Sequence, residues 1–157
     1  MNFSHKVSEI EAHIASARDQ HFRLVWLTGA SPRLRSDLLR SVAEAQKGVF
    51  LELGRELSNL LLDIPVPLRP ASVEECFAGC LAASPEMVTC LDHLDILFEP
   101  SLRVNPVSLV KCASRHTPIV ASWPGKFREG CLSYGPSDHP AHFLIAERDI
   151  ESTILTI

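Results

Sequence analysis

The sequence lacks any apolar stretch close to the ~20 residues that a membrane-spanning helix needs, because charged side chains interrupt every apolar run. The N-terminal residues MNFSHKVSEIEAHI also lack the apolar core of a secretory signal peptide. Excess positive charge is absent as well, since the formal net charge is −4. A general attraction to nucleic acid or to an anionic membrane is therefore not expected. These absences predict a cytoplasmic protein with no membrane partner.

The C-x2-C spacing that usually marks one end of a zinc site is missing too. The chain has five cysteines, Cys76, Cys80, Cys90, Cys112 and Cys131. An odd number of cysteines without a secretory signal predicts reduced thiols. Cys76 and Cys80 are four residues apart and can share a helix face, and Cys112 with His116 repeats that spacing. For these cysteines we favour buried small residues over metal ligands.

The composition is ordinary for a globular domain. The 157 residues are 46% hydrophobic and 22% charged, and no low-complexity tract interrupts them. A chain of this length buries roughly two thirds of the surface that its unfolded form exposes. We predict a single domain over residues 1–157, with an N-terminal amphipathic helix within 1–20 and a loop-rich segment within 123–142.

Apolar runs alternate along the chain with segments of helical periodicity. The runs predict strands at 24–28, 49–53, 87–91 and 118–122, and short closing strands at 143–145 and 152–157. The periodic segments predict helices at 4–20, 36–46, 55–62, 72–83 and 106–113. Ser72 is the expected cap of the fourth helix, after an extended proline-rich connector at 65–70. This alternation predicts an α/β fold, a three-layer sandwich with a mostly parallel central sheet.

Ligands of parallel α/β sheets bind at the carboxyl ends of the strands. The predicted strands place three features on that edge: the loop at 29–36, Asp92 after the third strand and Ser122 after the fourth. Arg115 precedes the fourth strand and is expected at the opposite edge. The candidate site therefore combines the loop with Asp92 and Ser122.

The loop at 29–36 follows a buried strand and leads into a helix, which is the layout of a phosphate-binding loop. Its residues are GASPRLRS, against the pattern G-x-x-x-x-G-K-[ST]. Gly29 fits the first glycine, and Ser36 offers the hydroxyl for Mg²⁺. Leu34 replaces the second glycine, and Arg35 replaces the lysine.

The departures from the pattern weaken the expected nucleotide site. A branched side chain at Leu34 costs on the order of 1–2 kcal/mol where the loop needs a positive φ. The planar guanidinium of Arg35 does not substitute freely for an ammonium, and Pro32 removes one amide donor. Binding of ATP and Mg²⁺ is therefore expected to be weak or absent. An ordinary strand–loop–helix corner is the open alternative.

Polar residues at the ends of the third and fourth strands are the other candidates. Asp92 can hold Mg²⁺ beside a phosphate loop, directly or through water. His93 is a candidate base, although a surface or hydrogen-bonded histidine is the commoner situation. Asp95 is equally well explained as a helix or turn cap. Ser122 can sense a γ-phosphate or simply close its strand.

Three arginines, Arg33, Arg35 and Arg40, surround the loop and form the main local basic patch. A phosphate, nucleic acid or an acidic partner can bind such a patch, and a solvated surface is at least as good an explanation. Trp123, which precedes a proline and a glycine, is favoured as a packing anchor over a platform for base stacking.

The segment CLDHLDILFEPSLRVNPVSLVKCASRHTPIVASWPG, residues 90–125, resembles the central part of the BrxF family, the small P-loop proteins of type 3 BREX phage-defence systems. That family shares the strand-end aspartate, the Leu–Phe segment with an acidic residue and proline, the Ser–Arg pair and the Trp–Pro–Gly ending. The segments VFLELGRELSNLLLD, 49–63, and GCLSYGPSDHP, 130–140, match it in order and spacing. The resemblance covers most of the chain.

The resemblance implies a P-loop NTPase-like core of the ASCE or AAA+ type, within a defence complex that distinguishes host from phage DNA. Implied partners are a large ATPase, a methyltransferase and a phosphatase-like component. Gly29 and Ser36 correspond to the phosphate loop, Asp92 to the acidic strand end and Ser122 to the end of the fourth strand. Leu34 and Arg35 depart from the glycine–lysine pair expected of the family.

Three functions follow as hypotheses. The first is an assembly or regulatory subunit of a BREX complex with a degenerate nucleotide loop. The second is an active Mg²⁺-dependent ATPase whose site a partner completes, and the third is an accessory protein that contacts DNA through the arginines near the loop. Self-association and an indirect contact with DNA stay open.

Overall fold

The computed structural model describes residues 2–81 and 84–157. Its helices are α1 (Phe3–Ala17), α2 (Pro32–Ala45), α3 (Leu53–Leu62), α4 (Arg69–Cys80), α5 (Pro106–Ala113) and α6 (Glu147–Ile150). Its strands are β1 (Leu24–Thr28), β2 (Val49–Glu52), β3 (Thr89–Asp92), β4 (Ile119–Ser122), β5 (Lys126–Arg128), β6 (Cys131–Tyr134), β7 (Phe143–Ala146) and β8 (Thr153–Thr156). The predicted alternation of strands and helices is confirmed.

Five parallel strands form the central sheet, in the order β2-β3-β4-β1-β8. Because β4 lies between β1 and β3, the loop after β1 and the carboxylate at the end of β3 face each other across one intervening strand. All strands point the same way, so their carboxyl ends share one edge of the sheet. The predicted parallel α/β sheet is therefore confirmed.

Side chains of β1 show why the fold has three layers. Val25 and Leu27 pack into one apolar cluster with residues of α1 and α2. Leu24 and Trp26 point to the other face, into a cluster that includes residues of α3, α4 and α5. Since alternate side chains of a strand point to opposite faces, the continuous apolar run of β1 is explained by burial on both faces.

The segment 123–140, predicted as loop, contains two strands. β5 and β6 pair antiparallel and β7 joins them, so the closing strand predicted at 143–145 belongs to this second sheet. The connection between β5 and β6 is Glu129 and Gly130, both with positive φ, which is the backbone of a two-residue hairpin turn. The sequence pattern does not predict this hairpin, because glutamate stands at the first turn position, where asparagine or aspartate is usual.

Several predicted boundaries are wrong. α2 begins at Pro32 instead of residue 36, and α4 begins at Arg69 instead of at a cap on Ser72. Ser72 lies inside α4 and donates its hydroxyl to the carbonyl of Leu68. The connector at 65–70 contains a 3₁₀ turn, Val66–Leu68, and is not extended. The predicted helix end at residue 83 lies outside the described residues.

Candidate functional site

The carboxyl edge of the central sheet holds a cleft of about 230 Å³. Its walls are Pro32, Arg35, Asp92, His93, Asp95, Ser122 and Pro124. The structure therefore brings together Arg35, Asp92 and Ser122, as expected from the strand ends. The cleft is smaller than the roughly 300–1,000 Å³ of typical ligand pockets.

The connection from β1 to α2 is much shorter than the eight-residue loop of the sequence prediction. Only Gly29, Ala30 and Ser31 separate the strand from the helix. The Ser31 side chain caps α2 by accepting from the amide of Leu34 at 3.1 Å, and the Ser31 carbonyl accepts from the amide of Arg35 at 3.1 Å. Those two amides are engaged within the chain, and Pro32 has none, so three of the positions that could offer an amide to a phosphate do not do so.

Gly29 has a structural explanation that needs no ligand. Its φ is +79°, in the left-handed region, and a Cβ atom there would lie 2.6 Å from the carbonyl oxygen of Ile157. The C-terminal strand passes close by, since the amide of Ile157 donates to the carbonyl of Thr28. Glycine at this position is therefore required by the turn and by β8.

Arg35 points back into the fold and is only 6% exposed. Its Nε donates to the Oγ of Ser122 at 2.8 Å, and one terminal nitrogen donates to the carbonyls of Gly29 at 2.7 Å and Ala30 at 3.2 Å. Burial lowers the pKa of Arg35, while the negative charges of Asp92 and Asp95 act in the opposite direction. The guanidinium stays charged because its ordinary pKa is far above neutral. The cation is thus bound by its own loop.

Asp92 lies at the end of β3 and is 4% exposed. Its carboxylate accepts a hydrogen bond from the hydroxyl of Ser36 and a 3.0 Å bond from the amide of His93. The contact with Ser36 ties the first turns of α2 to the strand end. The two residues proposed for Mg²⁺ are therefore neighbours in space.

His93 follows with φ +56°, a left-handed conformation that is uncommon for residues other than glycine. Its Nε2 lies 3.4 Å from a carboxylate oxygen of Asp92 and 3.9 Å from one of Glu52. The side chain is 56% exposed. The structure places His93 at the mouth of the cleft, where it contacts acidic groups.

Glu52 is a neighbour that the sequence reasoning missed. It ends β2, and its carboxylate lies 3.5 Å from Arg40 and 3.3 Å from Arg55. The rule that polar residues at strand ends share one edge also applies to Glu52. The predicted strand ends at Leu53 instead, so the prediction places Glu52 inside the strand and not at its end. Glu52 belongs to the acidic side of this edge.

The three arginines predicted as one basic patch do not share an environment. Arg35 is buried in the cleft, whereas Arg33 is exposed. Arg40 pairs with Glu52, and its guanidinium lies 4.2 Å from the ring centre of Phe50. Direct DNA contact through these residues is therefore not favoured. Arg115 precedes β4, at the edge away from the cleft, as predicted.

Trp123 is fully buried, so it cannot stack on a base. Its Nε1 donates to the carbonyl of Ser133 at 2.9 Å, and its ring contacts Trp26 and Phe98 edge to face. Gly125 passes so close to Ser133 that a Cβ atom would lie 1.8 Å from its carbonyl oxygen. The Trp–Pro–Gly segment is an anchor for the antiparallel sheet, in agreement with the packing interpretation.

The described part of the chain has no group of three or more His, Cys, Asp or Glu side chains placed to hold a metal ion. All five cysteines are free thiols; Cys90 is buried as predicted, whereas Cys112 is exposed and the other three are partly exposed. Magnesium is usually held by one or two protein oxygens together with phosphates and waters. Ser36 and Asp92 fit that requirement only if a nucleotide supplies the remaining ligands.

Within the described residues, no helix combines the length and the apolar character needed to cross a bilayer. Comparison of the chain with models of protein families, with curated proteins and with solved structures found no match.

Proposed function

We propose that this chain is a P-loop NTPase-like protein whose phosphate site is closed, and that it serves as an assembly or regulatory subunit of a BREX phage-defence complex. The observation that carries the proposal is the buried guanidinium of Arg35, which is bonded to Gly29, Ala30 and Ser122. A cation that is held by the carbonyls of its own loop is not presented to a phosphate.

The topology supports a P-loop ancestry. The loop-bearing strand β1 and the acidic strand β3 are separated by β4 in a parallel sheet, which is the arrangement expected of the ASCE type. The hydrogen bond between Ser36 and Asp92 joins the two positions that hold Mg²⁺ in such enzymes. The layout is thus retained while the loop itself is short and capped by Ser31.

The BREX assignment depends on the resemblance of residues 49–63, 90–125 and 130–140. The large ATPase, the methyltransferase and the phosphatase-like component are the proposed partners. Co-purification of a tagged chain with these three proteins, when they are expressed together, tests the assignment directly. Absence of all three from the purified material contradicts it.

Calorimetry with MgATP tests the closed site. We expect no binding to the purified chain at micromolar concentrations. Arg33→Ala, which removes an exposed arginine next to the loop, serves as the control for general charge effects. Micromolar binding to the wild type that disappears in Arg35→Ala, with the fold retained by circular dichroism, contradicts the proposal.

An active Mg²⁺-dependent ATPase is the second candidate, and the contact between Ser36 and Asp92 favours it. Turnover is measured for the chain alone and with the proposed partners. Turnover that falls to background in Asp92→Asn supports this candidate. If the Asp92→Asn variant restores phage resistance to a strain that lacks the wild-type chain, the result supports a subunit role that does not require hydrolysis.

A further inference from the structure

Exposed apolar side chains are concentrated on one short segment. In the described residues six large apolar side chains are exposed, and four of them lie between residues 60 and 68: Leu60 (44%), Leu62 (70%), Val66 (59%) and Leu68 (57%). Single exposed apolar residues are normal on a protein surface, whereas four within nine residues favour a contact site. We call residues 60–68 the apolar segment.

The apolar segment has a fixed backbone. The Nε of Arg69 donates to the carbonyls of Leu61 at 3.0 Å and Ile64 at 2.9 Å, which satisfies the end of α3. The amide of Leu68 donates to the carbonyl of Pro65 at 2.8 Å and closes the 3₁₀ turn. Because the segment is already ordered, a partner that binds it does not have to order it first.

A groove of about 180 Å³ lies beside the apolar segment. Leu61, Leu62, Ile96 and Leu102 form its apolar walls, and Glu99 lies at its polar side. Leu62 belongs to both the segment and the groove, so the two surfaces are continuous. None of the groove residues lines the Asp92 cleft, and the two sites are separate.

Carboxylates outnumber cations among the charged side chains of this surface, which are Asp63, Arg69 and Glu99. Asp63 and Glu99 form no salt bridge with any described residue. The cation of the groove, Arg69, keeps its positive charge, while its Nε donates to two carbonyl groups. A second copy of the chain packed through the same surface would bring two surfaces of net negative charge together, which opposes a symmetric dimer. Basic residues on a partner complement this surface.

We infer that the apolar segment and its groove dock an amphipathic helix of another protein, with apolar anchors on one face and lysine or arginine residues beside them. Helices bind apolar grooves through side chains spaced three and four residues apart. Leu62 is the expected centre of the contact, because it is the most exposed of the four apolar residues and also lines the groove.

The test uses a labelled helical peptide of about 18 residues with leucine on one face and lysine on the other, and an analogue with glutamate in place of lysine. Fluorescence anisotropy with the full chain is expected to show saturable binding of the lysine peptide and much weaker binding of the glutamate analogue. Leu62→Ser and Leu68→Ser are each expected to weaken binding roughly tenfold. Asp63→Lys with Glu99→Lys is expected to reverse the preference between the peptides.

Leu144→Ser is the matched control, since Leu144 is 61% exposed on β7, outside the apolar segment. Its peptide affinity is expected to equal that of the wild type. Lack of saturable binding, or an equal loss in Leu144→Ser, overturns the inference. Self-association in sedimentation experiments that Leu62→Ser abolishes identifies a second copy as the occupant and also overturns it. Binding of the chain to neutral or anionic vesicles, if Leu62→Ser abolishes it, identifies a membrane as the occupant and likewise overturns the inference.

Discussion

The Nε of Arg35, on α2, donates a 2.8 Å hydrogen bond to the Oγ of Ser122, at the end of β4. In the proposed P-loop relationship, this bond connects the residue at the lysine position of the loop pattern to the strand end that a γ-phosphate sensor would occupy. Both side chains are buried, at 6% and 4% exposure. The contact therefore stabilises the fold at the strand ends, where a working phosphate-binding loop would hold its nucleotide.

Arg35→Ala is expected to lower the free energy of unfolding by about 2–4 kcal/mol, because it leaves Ser122 and the carbonyls of Gly29 and Ala30 without their donor. Urea denaturation followed by circular dichroism measures the change. Arg33→Ala, at an exposed position of the same helix turn, is expected to change stability by less than ~0.5 kcal/mol. Equal effects of the two substitutions would show that the buried hydrogen bonds do not stabilise the loop.

The contact between Ser36 and Asp92 predicts energetic coupling. A double-mutant cycle with Ser36→Ala and Asp92→Ala is expected to give a coupling free energy of about 1.5 kcal/mol, since a hydrogen bond to a charged group contributes that much. The control cycle pairs Ser36→Ala with Asp95→Ala, because Asp95 accepts from Tyr134 instead. Coupling near zero in the first cycle is the result that contradicts the contact.

Two elements show what the sequence patterns could predict. The strand Leu24–Thr28 and the helix Pro106–Ala113 were predicted with the bounds found in the structure. The strand is a continuous apolar run, and the helix opens with proline at its first position, a signal that depends on local geometry alone. Such local signals are enough to predict the bounds of an element when burial in the core fixes the rest of its structure.

The start of α2 shows where the patterns misled. Ser31 followed by Pro32 is a helix cap followed by a preferred first residue, and the helix begins there. The match of residues 29–36 to the phosphate-loop pattern instead predicts a helix that starts at Ser36, four residues too late. The bonds of Arg35 to Gly29 and Ser122 depend on the packing of three separate segments, which no spacing in the sequence reveals.

Gly125→Ala and Gly79→Ala are expected to change stability in opposite directions. A Cβ atom on Gly125 would lie 1.8 Å from the carbonyl oxygen of Ser133, so the hairpin must move and we expect a loss of about 2–4 kcal/mol. Gly79 is in α4 with open space around it, and alanine there is expected to add about 0.5–1 kcal/mol. Thermal denaturation compares the two variants. A tolerated Gly125→Ala would contradict the close packing of the Trp–Pro–Gly segment against β6.

Cys90 predicts a loss of stability at high pH. Burial raises the pKa of the Cys90 thiol from its ordinary value of 9.0 to about 12. Above pH 9 the thiol ionises in the unfolded chain and stays protonated in the folded one, so the unfolded state binds fewer protons and is favoured as the pH rises. The contribution of this thiol is complete below pH 9 and is lost as the pH approaches about 12.

Comparison with Cys90→Ala isolates this effect from the titration of other groups. The quantity to follow is the free energy of unfolding of the wild type minus that of Cys90→Ala. This difference is expected to fall by about 1.5 kcal/mol between pH 9 and 10.5. The reason is that each pH unit above the pKa of the unfolded thiol lowers the difference by about 1.4 kcal/mol. Cys112→Ala, which removes an exposed thiol, is measured beside it as the control for the loss of a sulfur atom. A difference between the wild type and Cys90→Ala that does not change with pH would mean that the Cys90 thiol ionises in the folded chain, and that β3 is less tightly buried than the structure shows.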